Sequence, residues 1–376
     1  MDFSTQIERR GTGSLKWDKF PQLDPYWVAD MDFTSPAEVV NALHERVSHG
    51  VFGYAVPHAG LNEAIVQYMQ QRHEVSIDTN EIVHLGGLVP ALSLAARAFG
   101  SASDSLMTCS PIYPPFLGIH NDAQMKCINV PHVEIDGVWT FDWDAMEKAV
   151  EPSTKLFLLS NPQNPLGRVF NKQEIDQLVE FCQRHDLILI SDEIHCDLIL
   201  DDNETPHVTA AALPDELQSR IITLLAPSKT YNIAGLGYAY AVIKDSNLRR
   251  KFMAARGHTL PEINCLAYYA AEAAYRHGEP WRQELLKVLR HNKDTLVSYV
   301  KKNMPEIIVP NIEATYLAWM DCRQLPFNKP ASHFENMAGL YLSEGAFFGA
   351  PGFVRFNYGC PHARVVEGLE KMYKSL

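Results

Sequence analysis

The sequence predicts an α/β protein, with a mostly parallel central sheet covered by helices and a smaller α+β unit attached. Three observations carry that expectation. Apolar runs of strand length alternate with helical patterns between about 81 and 243, as strands buried on both faces require. Clusters of Gly, Pro, Asn and Asp punctuate the ends of those runs. Beyond about 270 the alternation gives way to one long helical pattern and a few isolated elements. The expected division is an N-terminal arm over 1–40 packed with the small unit, a large domain over 41–275 and a small domain over 276–376. No repeat, low-complexity tract or long linker interrupts the chain, so the domains should meet closely at a cleft.

In chain order, residues 1–35 are polar and irregular until Tyr26-Trp-Val-Ala-Asp-Met-Asp-Phe33, whose aromatics can pin an arm. A helix is expected near 36–49, then a turn-rich segment over 50–60. Leu61, Ala64, Ile65, Tyr68 and Met69 follow at helical spacing. Strands are predicted over 81–85, 106–109, 125–130, 156–160, 187–190, 221–225 and 238–243. Between them fall helices ending near 99, following 116 and spanning 142–150. Asn171 with Glu174 forms a capping box, and Ile175, Leu178, Val179 and Cys182 make the buried stripe of the helix it opens. After Pro280, a long helix should bury Trp281, Leu285, Val288, Leu289, Leu296 and Val300. Strands near 314–320 and 353–358 and helices near 332–343 and 361–374 complete the small unit.

Composition limits the function classes. With 376 residues and 46% hydrophobic content the chain can bury a sizeable core. Its net charge of −12, without a basic block, argues against nucleic acid or an anionic membrane as partner. Seven scattered cysteines without a Cys-x-x-Cys pair suggest free thiols in a reducing compartment and no metal site. The start, Met1-Asp-Phe-Ser, has no leader pattern, and no apolar run approaches a membrane span. A soluble cytoplasmic protein acting on a small molecule is expected.

In an open parallel sheet, ligands bind outside the carboxyl ends of the strands, and five distinctive stretches fall there. Lys229, in Ala226-Pro-Ser-Lys-Thr-Tyr-Asn-Ile-Ala-Gly235, follows the apolar run over 221–226. Desolvation at a buried strand end favours the neutral amine, which can form a Schiff base; alone, it is equally a lysine emerging into solvent. Gly87-Leu-Val-Pro90 puts glycine at a helix start, where free N–H groups suit a phosphate, or simply makes a turn. Tyr113, held between prolines in Pro111-Ile-Tyr-Pro-Pro115, could stack on a planar ring or only pack. Asn161-Pro-Gln-Asn-Pro-Leu-Gly167 imposes a fixed polar loop whose Asn164 can donate to a phenolate oxygen. Asp192, ending the strand near 190, needs a cation or donor, such as a pyridinium N–H, unless it caps a helix. An anion cradle, a stacking ring, a phenolate donor, a carboxylate and a lysine together match pyridoxal 5′-phosphate.

With these residues in place, the chain resembles the fold-type I pyridoxal-phosphate enzymes of the aminotransferase superfamily, and within them the cystathionine β-lyase-like C–S lyases. The resemblance runs over nearly the whole chain. It is carried by Lys16-Trp-Asp18, Trp27-Val-Ala-Asp-Met-Asp-Phe33, Phe52-Gly-Tyr54, Gly87-Leu-Val-Pro90, Ser191-Asp-Glu-Ile-His195 and Pro227-Ser-Lys-Thr-Tyr-Asn-Ile-Ala-Gly-Leu236. It implies that Lys229 holds the cofactor, Asp192 pairs with its ring nitrogen, Asn164 meets its phenolate oxygen and Tyr113 stacks on the ring. Leu88 and Val89 would bind the phosphate through backbone N–H groups, with Ser228 nearby. Tyr54 would reach the phosphate of a neighbouring subunit, implying a homodimer with composite sites. Arg355 would clamp the substrate α-carboxylate, with Asn164 and the backbone around Ala29 and Asp30 as further substrate contacts. His195 stands where many aminotransferases have a tyrosine near the phenolate oxygen, with a packing role equally open.

Two departures bear on the reaction. Gly237 replaces the phosphate-binding arginine that ordinary aminotransferases carry eight residues after the lysine, as in the C–S lyase branch. Leu166 stands where threonine is usual in the Asn-Pro loop. The resemblance therefore implies α,β-elimination from L-cystathionine, another L-cysteine S-conjugate or a cysteine sulfoxide, giving a thiol-type product, pyruvate and ammonia. Transamination is the alternative, and a non-catalytic interaction or regulatory protein on the same fold is a weaker one.

Overall fold

A computed structural model of the chain describes residues 1–200, 206–257 and 260–376. Seven strands build the central sheet: β1 (Ile82–Leu85), β2 (Ser105–Thr108), β3 (Lys126–Asn129), β4 (Thr154–Ser160), β5 (Ile188–Asp192), β6 (Ile221–Leu225) and β7 (Ala239–Val242). Their order across the sheet is β1-β7-β6-β5-β4-β2-β3. Strand β7 is antiparallel to both neighbours, and every other pair is parallel. The exception has a local cause. The chain leaves β6, makes the turns that carry Lys229 and returns beside it without a covering helix, whereas a parallel return needs a long crossover.

Alternation along β4 shows why its sequence is apolar throughout. Leu156 and Leu158 enter the core on one face with Leu92, Leu106 and Ile222. Phe157 and Leu159 enter the core on the other with Leu178, Phe181 and Leu189. Both faces are thus dry, and polar groups can appear only at strand ends. The helix Lys172–Arg184 closes its first turn with the expected capping box, the Asn171 side chain accepting from the N–H of Glu174 at 3.0 Å.

A second core gathers Trp281, Leu285, Leu289 and Leu296 of the long helix Glu279–Asn303. They meet Tyr316, Leu317 and Phe356 from a three-stranded antiparallel sheet of β8 (Leu317–Asp321), β9 (Ser343–Glu344) and β10 (Phe353–Asn357). Tyr26, Met31 and Phe33 of the N-terminal segment lie in that same core. Buried ion pairs fasten the segment further: Lys16 lies 2.8 Å and Arg9 2.6 Å from the Asp32 carboxylate, which also accepts from the Trp17 indole at 2.8 Å.

The sequence pattern misses some elements. Helices Ser246–Arg256 and Cys265–His277 lack a marked apolar stripe, because the second buries mostly alanines. The helix expected over 332–343 stops at Ala338, where Gly339 takes a left-handed φ of 67° and ends it. Short strands follow, and one of them, β9, reaches the cleft. A hairpin of Val133–Ile135 and Val138–Thr140 turns on Asp136-Gly137, both at positive φ, the dipeptide that such turns favour. No helix among the described residues is long and apolar enough to cross a membrane.

Candidate active site

The carboxyl ends of β4, β5 and β6 open into a cleft of about 620 Å³ between the central sheet and the three-stranded sheet. Lys229, Asp192, Asn164, His195, Tyr113, Ser228, Leu88, Val89, Ala29 and Arg355 all line it. Elements remote in sequence therefore deliver ten of the candidate residues to one place. Two are not delivered. Tyr54 is fully exposed on the loop before the helix Ala59–His73. The Asp30 carboxylate is turned to Arg9 at 2.8 Å, and its N–H donates to the Val28 carbonyl at 2.9 Å.

The Lys229 ammonium nitrogen donates to the Ala29 carbonyl at 2.7 Å. Burial lowers its pKa to about 8, partly opposed by Asp30 and Asp192, while Arg355 adds to the lowering. Asp192 is buried, and among the described residues only the Ile194 N–H, at 3.1 Å, donates to its carboxylate. Burial raises its pKa to about 7, and neighbouring Glu193 contributes. No cationic side chain among the described residues forms an ion pair with Asp192. A carboxylate held so near half-protonation favours a ligand N–H beside it.

Arg355 is buried on β10 and, among the described residues, meets no carboxylate. Its guanidinium donates to Asn164 Oδ1 at 2.9 Å and to the Trp27 carbonyl at 2.6 Å. It lies 4.8 Å from the Phe348 ring centroid, and its Nε has no partner. Burial lowers even this pKa, to about 10. Because a guanidinium only donates, the Asn164 oxygen must face Arg355, which leaves the amide N–H₂ for an oxygen in the cleft. His195 is buried with an unpartnered Nδ1. Burial, aided by Lys229 and Arg355, lowers its pKa to about 3. It is a neutral imidazole near neutral pH, edge-on to Tyr316 with centroids 6.1 Å apart.

The helix Leu88–Phe99 begins at the end of β1, so the N–H groups of Leu88 and Val89 precede any helical acceptor. Gly237 takes a left-handed φ of 65°, which residues other than glycine rarely adopt, although a Cβ there would meet the Gly86 carbonyl oxygen at an ordinary 3.4 Å. An arginine at this position would be strained at the edge of that helix start. Leu166 turns its side chain away from the cleft into a small apolar cluster with Trp319, Phe348 and Phe353, and so backs the ring against which Arg355 lies.

A buried carboxylate for a ring nitrogen, an amide donor for a ring oxygen, a helix start for a phosphate and a desolvated lysine fit pyridoxal phosphate. Fold and site define the class: a fold-type I pyridoxal-phosphate-dependent enzyme. The chain belongs to the aminotransferase class I and II family, whose model matches residues 28–372. Within that family it groups with the pyridoxal-phosphate-dependent carbon–sulfur lyases. Cystathionine beta-lyase PatB of Bacillus subtilis is 34% identical over 388 residues, covering 100% of both chains. The crystal structure of cystalysin from Treponema denticola, which contains pyridoxal 5′-phosphate, matches with a TM-score of 0.95 at 34% identity, covering 100% of this chain and 98% of that one. The crystal structure of OvoB matches with a TM-score of 0.96 at 39% identity, covering 100% of this chain and 99% of that one.

Other cleft residues escaped the sequence reading. Tyr316 donates to the Ala29 carbonyl at 2.9 Å, the same oxygen that holds Lys229, yet in sequence it is one aromatic at the edge of a predicted strand. The Ser343 hydroxyl and the Phe348 ring flank Arg355 and carry no motif. Trp27 was visible within its motif, but its contribution is a backbone carbonyl, which no residue type advertises.

The lowered pKa of Lys229 has a direct consequence. In cofactor-free protein, its labelling by a neutral amine reagent, followed by mass spectrometry, should rise with pH and level off above about 8. Exposed lysines should keep climbing towards their ordinary value of about 10.4. A Lys229 profile that follows theirs would contradict the desolvated lysine.

Proposed function

We propose that the protein is a C–S β-lyase that converts an L-cysteine S-conjugate and water into a thiol, pyruvate and ammonia, with cystathionine and S-substituted cysteines as the substrate class. The unpaired buried guanidinium of Arg355 carries this reading. It is a carboxylate site without a carboxylate, placed beside a desolvated lysine. When bound, pyridoxal phosphate supplies an electron sink conjugated to the substrate's α-amino nitrogen.

The chain's own residues account for the rest. Arg355 binds the α-carboxylate through the fork of its guanidinium. Asn164, its oxygen held by Arg355, would give an N–H to the cofactor's ring oxygen. Asp192 would pair with the ring nitrogen and favour its protonated form. Tyr113 would cover the ring, and the Leu88 and Val89 N–H groups with Ser228 would receive the phosphate. Lys229, neutral near its lowered pKa, takes the Cα proton. The Cβ–S bond then breaks with its electron pair on sulfur, which leaves as thiolate and takes up a proton. The neutral His195 offers an N–H and a lone pair at the cleft wall and is too weakly basic to store that proton.

Gly237 in place of the phosphate-binding arginine supports elimination over transamination through the resemblance to the lyase branch, which also lacks that arginine. We propose a homodimer in which Tyr54 enters the partner's cleft. The exposure of Val51, Phe52, Tyr54 and Val56 along one loop supports this. The scattered, unpaired cysteines support a cytoplasmic setting.

Incubating the cofactor-loaded enzyme with L-cystathionine and S-methyl-L-cysteine tests the reaction. Pyruvate and thiol should form in equal amounts without an added keto acid. A product keto acid that appears only when a second keto acid is supplied would establish a transaminase instead. Arg355→Ala should retain cofactor and lower kcat/KM by about 10²- to 10⁴-fold, since two charge-assisted bonds are lost at roughly 1.5–3 kcal/mol each. Lysine at 355 should restore little, because a point charge lacks the fork. Kinetics on one substrate checks both variants, and an unchanged kcat/KM would move the carboxylate site elsewhere.

A further inference from the structure

The outer end of the cleft differs from its reactive floor. Trp27 and Tyr341 meet there edge to face with centroids 5.1 Å apart, and Phe20 lies 4.4 Å from Tyr341. The Lys19 ammonium stands over this group, 5.1 Å from the Trp27 ring centroid and 5.4 Å from that of Phe20. Both Lys19 and Tyr341 line the cleft. Among the described residues Lys19 enters no ion pair. The cleft is lined by three cations, Lys19, Lys229 and Arg355, and by one acid, Asp192, in a chain whose net charge is −12. Positive charge is thus concentrated against the overall balance of the chain.

Trp27 joins the two ends. Its carbonyl receives Arg355, and its ring lies beneath Lys19. Because Arg355, Trp27, Tyr341 and Lys19 line one cleft, an amino acid held through its α-carboxylate at Arg355 would have this aromatic shelf and its ammonium open to its sulfur substituent. The inner and outer cations have separate tasks, since Arg355 and Lys229 are committed to the reacting amino-acid end. We infer that the leaving-group end of the substrate carries a second carboxylate, recognised by Lys19 above the aromatic shelf. This rests on the proposed lyase reading and specifies its substrate class: cysteine S-conjugates with an acidic substituent, favoured over neutral ones of the same shape.

The test uses cofactor-loaded enzyme and two substrates differing by one charge, S-(2-carboxyethyl)-L-cysteine and its amide S-(2-carbamoylethyl)-L-cysteine, with pyruvate as readout. Because Lys19 is exposed, the expected preference in kcat/KM for the acid is modest, about two- to fivefold at low salt, shrinking as ionic strength rises. Lys19→Met should bring the ratio to about one, and Lys19→Arg should keep it. Equal kcat/KM for acid and amide in the unaltered enzyme, or a preference that survives Lys19→Met, would overturn the inference while leaving the lyase reading intact. If neither compound yields pyruvate, nor do cystathionine and S-methyl-L-cysteine, the lyase reading falls and this inference with it.

Discussion

Three charged side chains in one cleft, none in an ion pair with another protein group among the described residues, set the terms for the rest of the structure. Lys229, Asp192 and Arg355 come from the turns after β6, the end of β5 and the middle of β10. Burial displaces the pKa of each towards its neutral form. Holding such groups apart in a dry place opposes folding, since an unpaired buried charge is costly. The segment Trp27–Met31 meets part of that cost with main-chain carbonyls. Trp27 accepts from Arg355, Ala29 from Lys229 and Tyr316, and Val28 and Asp30 from Asn357. These bonds neutralise no charge. They fix the cations in place while leaving room for an anionic ligand.

This constraint explains the attention the molecule gives to a short N-terminal stretch. The buried cluster of Arg9, Lys16 and Asp32 anchors its backbone, and Asn232, three residues after Lys229, accepts from the Met31 N–H at 3.0 Å and donates to its carbonyl at 2.9 Å. A second polar cluster braces the opposite side. Asp197, just beyond His195, accepts from the Tyr68 hydroxyl at 3.0 Å, and Tyr68 in turn meets His73 at 3.0 Å. Glu193, beside Asp192, pairs with His207 at 3.0 Å. Strand β5 therefore ends between two polar networks, which flank Asp192.

Much of this was legible in sequence because strand ends in a two-sided sheet are the only places where such residues can stand. Apolar runs located β4, β5 and β6, and the polar residues following each run gave Asn164, Asp192 and Lys229. Arg355 came from the family resemblance, since an arginine inside an apolar strand could equally have faced solvent. What escaped depended on backbone groups and on contacts across domains. The Ala29 and Trp27 carbonyls have no residue signature; Ser343 is placed by the antiparallel pairing of β9 with β10, Phe348 by the turn that joins them and Tyr316 by its position just before β8. Leu166, where threonine is usual, places its side chain in the apolar cluster behind Arg355, against Phe348.

The most direct measurement of the central claim is the visible absorbance and turnover of Lys229→Ala after pyridoxal phosphate is added. If this lysine is both the cofactor's attachment and the base at Cα, the variant should lack the long-wavelength band of a lysine-linked cofactor and give no pyruvate above background. A variant that keeps the unaltered enzyme's band and turns over at its rate would contradict that account.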